Sequence, residues 1–534
     1  MNILEKFYKF ERDQQEQLQS SYKTISKFSL DIFNENSMDE QDKNRRRLAV
    51  NDLNEFLKEF QEKHKNELKL KGPMKINLFG STASGFGSKN SDLDCCVTVQ
   101  DSETGKVIPN AVEAGFSSEK ASDEVVLIAA MMQNWYSGKG NGSSSTTPLA
   151  HLAFDEVEAV PDAKVPIIRF KHKSSGLEGD VSIYNTLPLR NTKLLHSYAE
   201  FDNAVLKMGF LLKKFSKITE ICDASKGSLS SYAYIILLIH YLQKMEVIPN
   251  LQNGNDVNVE EYCNWNTFFI ENPEQIKILK EKYNSHGKSA GELFIGLLKY
   301  YAFDFDWNTD VVCIRFNQNK DVKGTGLTCF NKRWTSKTLV IEDPFDLNHN
   351  LGTGVSKQMG LYIIKILMNA LEQFIKPSPA QIGYDLKHHY FNKNALTKGK
   401  KPPQDRLCRY CLHIGHFQKE CPKFLQMEKE KEENRERKKI ENRNRKQKMV
   451  NEVRRLGNMN DEERDVERDR WRRNNNSNGN YGNDANRQQQ QNTHSYNEAN
   501  QRMRLNSRRV SETSNGNRRE SSDSTDQINI KGDF

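Results

Sequence analysis

The most constraining stretch of this chain runs Phe79-Gly80-Ser81-Thr82-Ala83-Ser84-Gly85-Phe86-Gly87-Ser88-Lys89-Asn90-Ser91-Asp92-Leu93-Asp94. It is a Gly/Ser turn between two runs of β-forming residues, INLFG and LDCCVTV, and that pattern predicts two strands joined by a tight connection. Residues two apart in an extended segment face the same side, so Asp92 and Asp94 present both carboxylates to one face of the predicted sheet. Paired carboxylates hold hard divalent ions, and phosphoryl-transfer sites commonly use two such ions. A third acid is then needed from a neighbouring strand. Asp180, in GLEGDVSIYN, is flanked by glycine and β-formers and is the candidate. Gly80 and Ser81 follow a strand and open a predicted helix, so their N–H groups and the serine hydroxyl can face a triphosphate. A D-x-D at a strand end is by itself commonly a solvated turn, and a lone Gly-Ser pair says less still. The inference rests on their joint occurrence with an Asp on another predicted strand.

The rest of the chain supplies a frame for this segment. At 534 residues and 61.7 kDa it exceeds what one hydrophobic core usually serves, so two folded domains with attached segments are expected. Residues 1–70 form a helical lead-in packed on the body, with Leu53, Phe56, Leu57 and Phe60 sharing a face. Residues 71–195 hold the strands, including VPIIRFKH and GDVSIYN. Residues 196–380 turn mainly helical, with apolar segments around Ala204–Ile221, Tyr232–Met245, Ala290–Tyr301 and Gly360–Phe374. The fold class is therefore α+β. Residues 137–148, SGKGNGSSSTTP, read as a surface loop without an assigned role.

Composition decides less. Lys and Arg number 79 against 71 Asp and Glu, a net +8 that mildly favours a polyanionic partner. The amino terminus carries acids and amides where a secretory signal needs an apolar stretch, and YAYIILLIHYL is too short to span a bilayer. These features point to an intracellular, cytoplasmic protein without membrane contact, a nuclear location staying open. Nine cysteines spread over such a length argue against a disulfide framework.

Three of those cysteines cluster. Cys408, Cys411, His416 and Cys421 have C-x2-C-x4-H-x4-C spacing, which delivers three thiolates and one imidazole for a closed, structural zinc site over residues 405–424. Tyr410 and Phe417 offer aromatic faces to single-stranded bases, and Gly415 suits the chain reversal. The alternative is a knuckle that binds protein. Residues 425–534 are charged and of low complexity, with a solvated helix around Met427–Arg455 and a largely disordered remainder. Their Lys and Arg can add phosphate contacts, although interleaved acids weaken that reading.

The G-S plus D-x-D pattern resembles the DNA polymerase beta superfamily of nucleotidyltransferases. SGLEGDVSIYNTLPLRNTKLL, DASKGSLSSYAYIILLIHYL, ELFIGLLKYYAFDFD and IEDPFDLNHNLG are similar to the terminal uridylyltransferases (poly(U) polymerases), most closely their CCHC zinc-knuckle group. The similarity runs from Lys75 to Phe374 and again over the Cys/His cluster. It implies a polymerase beta-like domain beside a helical, poly(A) polymerase-associated domain, with nucleotide in the cleft between them. It further implies Mg²⁺ or Mn²⁺ at Asp92, Asp94 and Asp180, and UTP and RNA 3′ ends, of messenger or small-RNA class, as substrates. An RNA-binding protein that recruits the enzyme is compatible with it. By the same resemblance Asn191 and Thr192 meet sugar and base, and Lys213 and Lys217 meet the phosphates. Ser231 meets a phosphate, Tyr232 stacks on the base, and Asp343 and Asp346 help bind the nucleotide. His349 favours uracil over adenine. Lys213 and Lys217 are four apart and share a helix face, as two cations meeting phosphates require, although such a pair without context is commonly a solvated face. Two rivals stay open, an ATP-using poly(A) polymerase and a catalytically inactive RNA-binding scaffold.

Overall fold

The computed structural model describes residues 3–457, apart from 69, 71, 106, 109–117, 138–150, 162, 164, 254–260, 263–264, 284–286, 316–337, 376–385, 407, 409 and 412–419. Most of the Gly/Ser loop of residues 137–148, His416, and the low-complexity segment from residue 458 onward therefore lie outside the described residues. Two units are distinguished, residues 1–407 and 408–534.

The first unit is built on a five-stranded sheet: β1 Met74–Phe79, β2 Leu93–Val99, β3 Phe154–Val160, β4 Ile167–His172 and β5 Leu177–Ile183. Their order across the sheet is β1-β2-β5-β4-β3. Only β2 and β5 run parallel within it; the other neighbours are antiparallel. β2 is the most apolar strand because it is interior and covered on both faces, with Leu93, Cys95, Cys96 and Val97 all at 0% exposure. β3 lies at the far edge, where a register shift between Asp155 and Glu158 interrupts its alternation.

Helices α1 Ile3–Asp13, α2 Gln15–Asn36 and α3 Glu40–Lys63 precede the sheet. α3 starts at a reciprocal cap, in which the Asp39 carboxylate accepts from Asp42 N at 2.9 Å and Asp42 accepts from Asp39 N at 3.2 Å. Its Leu53, Phe56, Leu57 and Phe60 are at most 2% exposed and pack into the sheet's core. The same helix finishes the edge of the sheet. Asn54 Oδ1 accepts from Ile76 N and Gln61 Oε1 from Met74 N, so outward amides of edge strand β1 are satisfied by side chains.

α4 Gly80–Ser84 and α5 Ser118–Met132 pack on the sheet, and the helical part holds α6 Leu187–Phe201, α7 Asn203–Ile218, α8 Ser231–Lys244, α9 Ala290–Lys299 and α10 Lys357–Phe374. Short polar side chains start several of them: Asp202 accepts from Ala204 N, Ser230 from Ala233 N, and Ser356 from Met359 N. α8 has ten consecutive buried residues, Ala233 to Leu242, and so is covered all round. α2 packs on α7 and α9, while α6 packs on α4 and β1. The boundary expected at residues 195 and 196 thus falls inside α6. In the second unit, α11 Pro422–Gly457 covers 36 residues. Among the described residues no helix is long and apolar enough to cross a membrane.

Candidate active site

One rank of residues crosses the whole sheet. Phe79 on β1 pairs with Asp94 on β2, Asp94 with Asp180 on β5, Asp180 with Arg169 on β4, and Arg169 with Glu158 on β3. Register neighbours point to the same face, so the sheet sets Asp94 and Asp180 side by side with Arg169 beyond them. Asp92, just before β2, joins them in a cavity of about 370 Å³ that Glu158 and Arg169 also line. The three acids singled out from the sequence therefore share one pocket.

Its charge is unbalanced. Arg169 lies 3.8 Å from Asp180 and 3.5 Å from Glu158, and Lys171 lies 3.4 Å from Glu156. Burial, then the charges of Asp180 and Asp92, raise the Asp94 carboxyl to about 6. Burial also raises Asp180, against the pull of Arg169. Three carboxylates converging in a half-buried pocket, with Asp94 and Asp180 both held above the usual range, are a donor set that fits a hard divalent cation. The basic and acidic residues of β3 and β4 were not singled out from the sequence. The alternation of charge in IIRFKH was their one available signal.

The turn before the acids is held from several sides. Gly80 has φ +69°, and a Cβ placed there would lie 2.1 Å from Asp94 Oδ2, so only glycine lets the turn pass this close to the carboxylate. Gly80 N donates to Thr192 Oγ1 at 2.9 Å. Thr192 thus builds the turn, a role the sequence did not suggest, and the Gly80 amide is engaged within the protein. Thr82 Oγ1 donates to Asp92 O at 3.0 Å. Arg46, on α3, sends Nη2 to the carbonyls of Ser88, Lys89 and Ser91 and so fixes the approach to Asp92.

A second cluster lies in the helical part. Lys213 on α7 donates from Nζ to Phe86 O at 2.7 Å; burial and then the neighbouring Lys217 bring its ammonium down to about 8. Lys217, one turn on, is exposed. Ser231 opens α8, and Tyr232 beside it is half-buried, its hydroxyl donating to Asp343 Oδ2 at 3.4 Å. Asp343 is 3% exposed; burial raises its carboxyl, while Oδ1 accepts from Phe345 N and Asp346 N, which lowers it. This carboxylate therefore builds the loop as well as meeting Tyr232. Asp346 accepts from Asn348 N, and His349 closes the loop through His349 N to Asp346 O and Asp343 N to His349 O. The His349 side chain is exposed. Asn191 Oδ1 is buried with no hydrogen-bond partner among the described residues.

In the second unit the Sγ atoms of Cys408, Cys411 and Cys421 lie within 4.8 Å of one another. Tetrahedral Zn–S bonds of about 2.3 Å place sulfurs roughly 3.8 Å apart, so the thiols need little movement to share an ion. Burial raises the Cys408 thiol, but hydrogen bonds involving Cys411, Tyr410 and Cys421 outweigh it and bring it down to about 6. Tyr410, expected as a stacking surface, is 43% exposed and meets Phe424 edge to face at 5.4 Å. Gly415, His416 and Phe417 lie outside the described residues.

Comparison with known proteins gives consistent relatives. Residues 25–200 match the family described as "Poly(A) RNA polymerase, mitochondrial-like, central palm domain", and residues 289–349 match "Cid1 family poly A polymerase". The first match takes in much of α2 and all of α3. The chain is 38% identical over 366 residues to terminal uridylyltransferase 4 of Mus musculus, covering 67% of this chain and 20% of that protein. It is 36% identical over 360 residues to terminal uridylyltransferase 7 of Homo sapiens, covering 65% and 22%. The chain thus spans about a fifth of the length of these curated relatives. The crystal structure of the Cid1 poly(U) polymerase superposes with a TM-score of 0.52 at 25% identity, over 68% of this chain and 98% of that one. With a carboxylate rank behind a glycine-gated turn, the chain carries a nucleotidyltransferase fold of the DNA polymerase beta-like superfamily and is similar over about two thirds of its length to terminal uridylyltransferases.

Proposed function

We propose that this protein adds UMP from UTP to RNA 3′ ends without a template. The observation that carries the reading is the register of Asp94 beside Asp180, with Asp92 in the same pocket and the Gly80 turn closed over Asp94. Asp92 and Asp94 would hold Mg²⁺ or Mn²⁺ at the triphosphate, with Asp180 completing the set on the side of the RNA 3′-hydroxyl; structures of Cid1 with magnesium and nucleotide support this use. Such an ion supplies charge stabilisation at the transferring phosphate. The reaction is in-line attack of the 3′-oxygen on the α-phosphate, with pyrophosphate leaving, and positioning with fixed charge supplies most of the catalysis.

The chain's own residues divide that work. Lys213 and Lys217 neutralise the outer phosphates, Ser231 donates to one of them, and Asn191 offers a desolvated acceptor on the sugar side. Thr192 acts through Gly80. Tyr232 stacks on the base, and the Asp343–Asp346 loop presents His349 to its edge. Zn²⁺ at Cys408, Cys411, His416 and Cys421 would order a knuckle that engages single-stranded RNA. RNA of messenger or small-RNA class, a recruiting RNA-binding protein and a cytoplasmic setting complete the proposal.

The test is a nucleotide competition with the purified chain, Mg²⁺ and an end-labelled RNA oligonucleotide. UTP should be incorporated in preference to ATP, GTP and CTP. A preference for ATP would replace the uridylyl reading with the adenylyl one. No transfer with any nucleotide in Mg²⁺ or Mn²⁺ would leave an RNA-binding scaffold.

A further inference from the structure

Behind the loop that carries His349, three segments are stitched together. Val312 bridges Ile341 in parallel, with Val312 N donating to Val340 O at 3.0 Å and Glu342 N to Val312 O at 2.9 Å. On the other side Glu342 bridges Asn350, and Leu351 N donates to Ile341 O at 2.9 Å. Residues 340–342 are thus the middle ply from which the 343–349 loop springs. Near the far end of α8, Gln243 Nε2 donates to Ile314 O at 3.1 Å. Residues 311–315 therefore touch both the helix that begins at Ser231 and Tyr232 and the ply that leads into Asp343.

An ion pair sits at this junction, its carboxylate buried and its arginine side chain 16% exposed. The Glu342 side chain is 1% exposed; its Oε1 accepts from Arg315 Nε at 2.9 Å and from Cys313 Sγ at 3.1 Å. Its Oε2 has no hydrogen-bond partner among the described residues. The neighbours Val311, Cys313 and Val340 form an apolar cluster. Apolar residues of similar size would fill such a place at no greater cost, and a retained buried pair is best attested as a device that fixes register. Glu342 directly precedes Asp343, whose carboxylate meets the Tyr232 hydroxyl. A slip of the ply would carry Asp343 and His349 with it.

We infer that Arg315 and Glu342 are positioning residues for nucleotide selection, their ion pair setting the register of the Asp343–His349 loop against Tyr232. The inference rests on the proposal that this loop meets the base. Among the described residues, the Arg315–Glu342 ion pair joins the ply behind the loop and lies outside the lining of the carboxylate pocket, so the pair acts on nucleotide binding and base choice and leaves the chemical step alone.

The test uses the full chain with R315K and E342Q, and a cycle of R315M, E342M and the double variant. R315K and E342Q should raise KM for UTP at least fivefold and lower the UTP:ATP ratio of kcat/KM, with kcat at saturating UTP within about threefold of wild type. In the cycle, the second substitution should cost far less than the first, because it removes an orphaned charge. Unchanged KM and base ratio in R315K and E342Q would overturn the inference, as would an additive cycle. If R315M fails to fold, R315K and E342Q decide alone. A wild-type enzyme that prefers ATP would sink the uridylyl reading, while the KM shift for its preferred nucleotide would still test the pair.

Discussion

Gly80 stands against Asp94 so closely that one added methyl would lie 2.1 Å from the carboxylate oxygen Oδ2. The contact couples the turn to the acid: neither can move without the other. Gly80→Ala meets two penalties, a φ of +69° that costs an L-residue about 1 kcal/mol, and a clash relieved only by displacing Asp94. A misplacement of about 1 Å at a reacting centre can cost on the order of a hundredfold in rate. The variant should keep its circular dichroism and lose at least about a hundredfold in kcat. A variant with near wild-type kcat would mean that the turn is not part of the site.

Lys213 yields a pH dependence with opposite signs in two assays. Its ammonium titrates near 8, so the cationic form that meets phosphate is lost as pH rises through that value. kcat/KM for UTP, which reports the free enzyme, should fall on that alkaline limb, and Lys213→Arg should flatten it. Stability runs the other way. The folded value lies below the ordinary lysine value of 10.5, so the unfolded chain binds more protons between about 8 and 10.5, and this group's contribution to stability rises across that window. Measured kcat/KM and melting temperature should therefore diverge above pH 8 in wild type, and diverge less in Lys213→Gln. Parallel loss of both in wild type would point to general alkaline unfolding.

The pocket was legible where chemistry is local in the chain. Gly80, Ser81, Asp92 and Asp94 fall within fifteen residues, and Asp180 carries its own signal in the β-formers after Gly179. Strand β3 was missed because its burial pattern is broken: Glu156 has φ +50°, and the register shifts before Glu158. With β3 unread, the pairing of Glu158 with Arg169 was invisible. The bond from Gly80 to Thr192 spans 112 residues. No periodicity reports such a contact, since it depends on how α6 packs on β1. The same holds for Tyr232 and Asp343, where each residue reads as an ordinary loop or core choice until the helical part closes.

The knuckle prediction separates RNA affinity from chemistry. Cys408→Ser with Cys411→Ser removes two of the expected four ligands and should release about one equivalent of zinc, measured by a chromogenic chelator. Binding of a long RNA should weaken, while transfer to a short oligonucleotide that only has to reach the pocket changes little. Equal loss on both substrates would make the knuckle a support for the catalytic body. Absence of zinc from the wild-type protein would remove the metal reading altogether.

Base choice is where the proposal is most exposed. Uracil presents an acceptor at O4 where adenine and cytosine present an amino group, so an N–H-bearing imidazole favours the first and opposes the others. The His349 side chain is exposed, and its backbone closes the loop whose Asp343 binds Tyr232. Replacing the imidazole therefore leaves the loop's hydrogen bonds, the carboxylate rank and Lys213 in place. Loss of one discriminating hydrogen bond is worth on the order of 1–3 kcal/mol, roughly a ten- to hundredfold change in ratio. His349→Leu should raise ATP use relative to UTP by that factor, with kcat for ATP comparable to or above that of wild type. Paired kcat/KM measurements for the two nucleotides on one RNA decide the matter. A mutant that keeps the wild-type ratio would show that His349 is not the selector, and the base preference would then have to be sought in Asp346 and the stacking geometry of Tyr232.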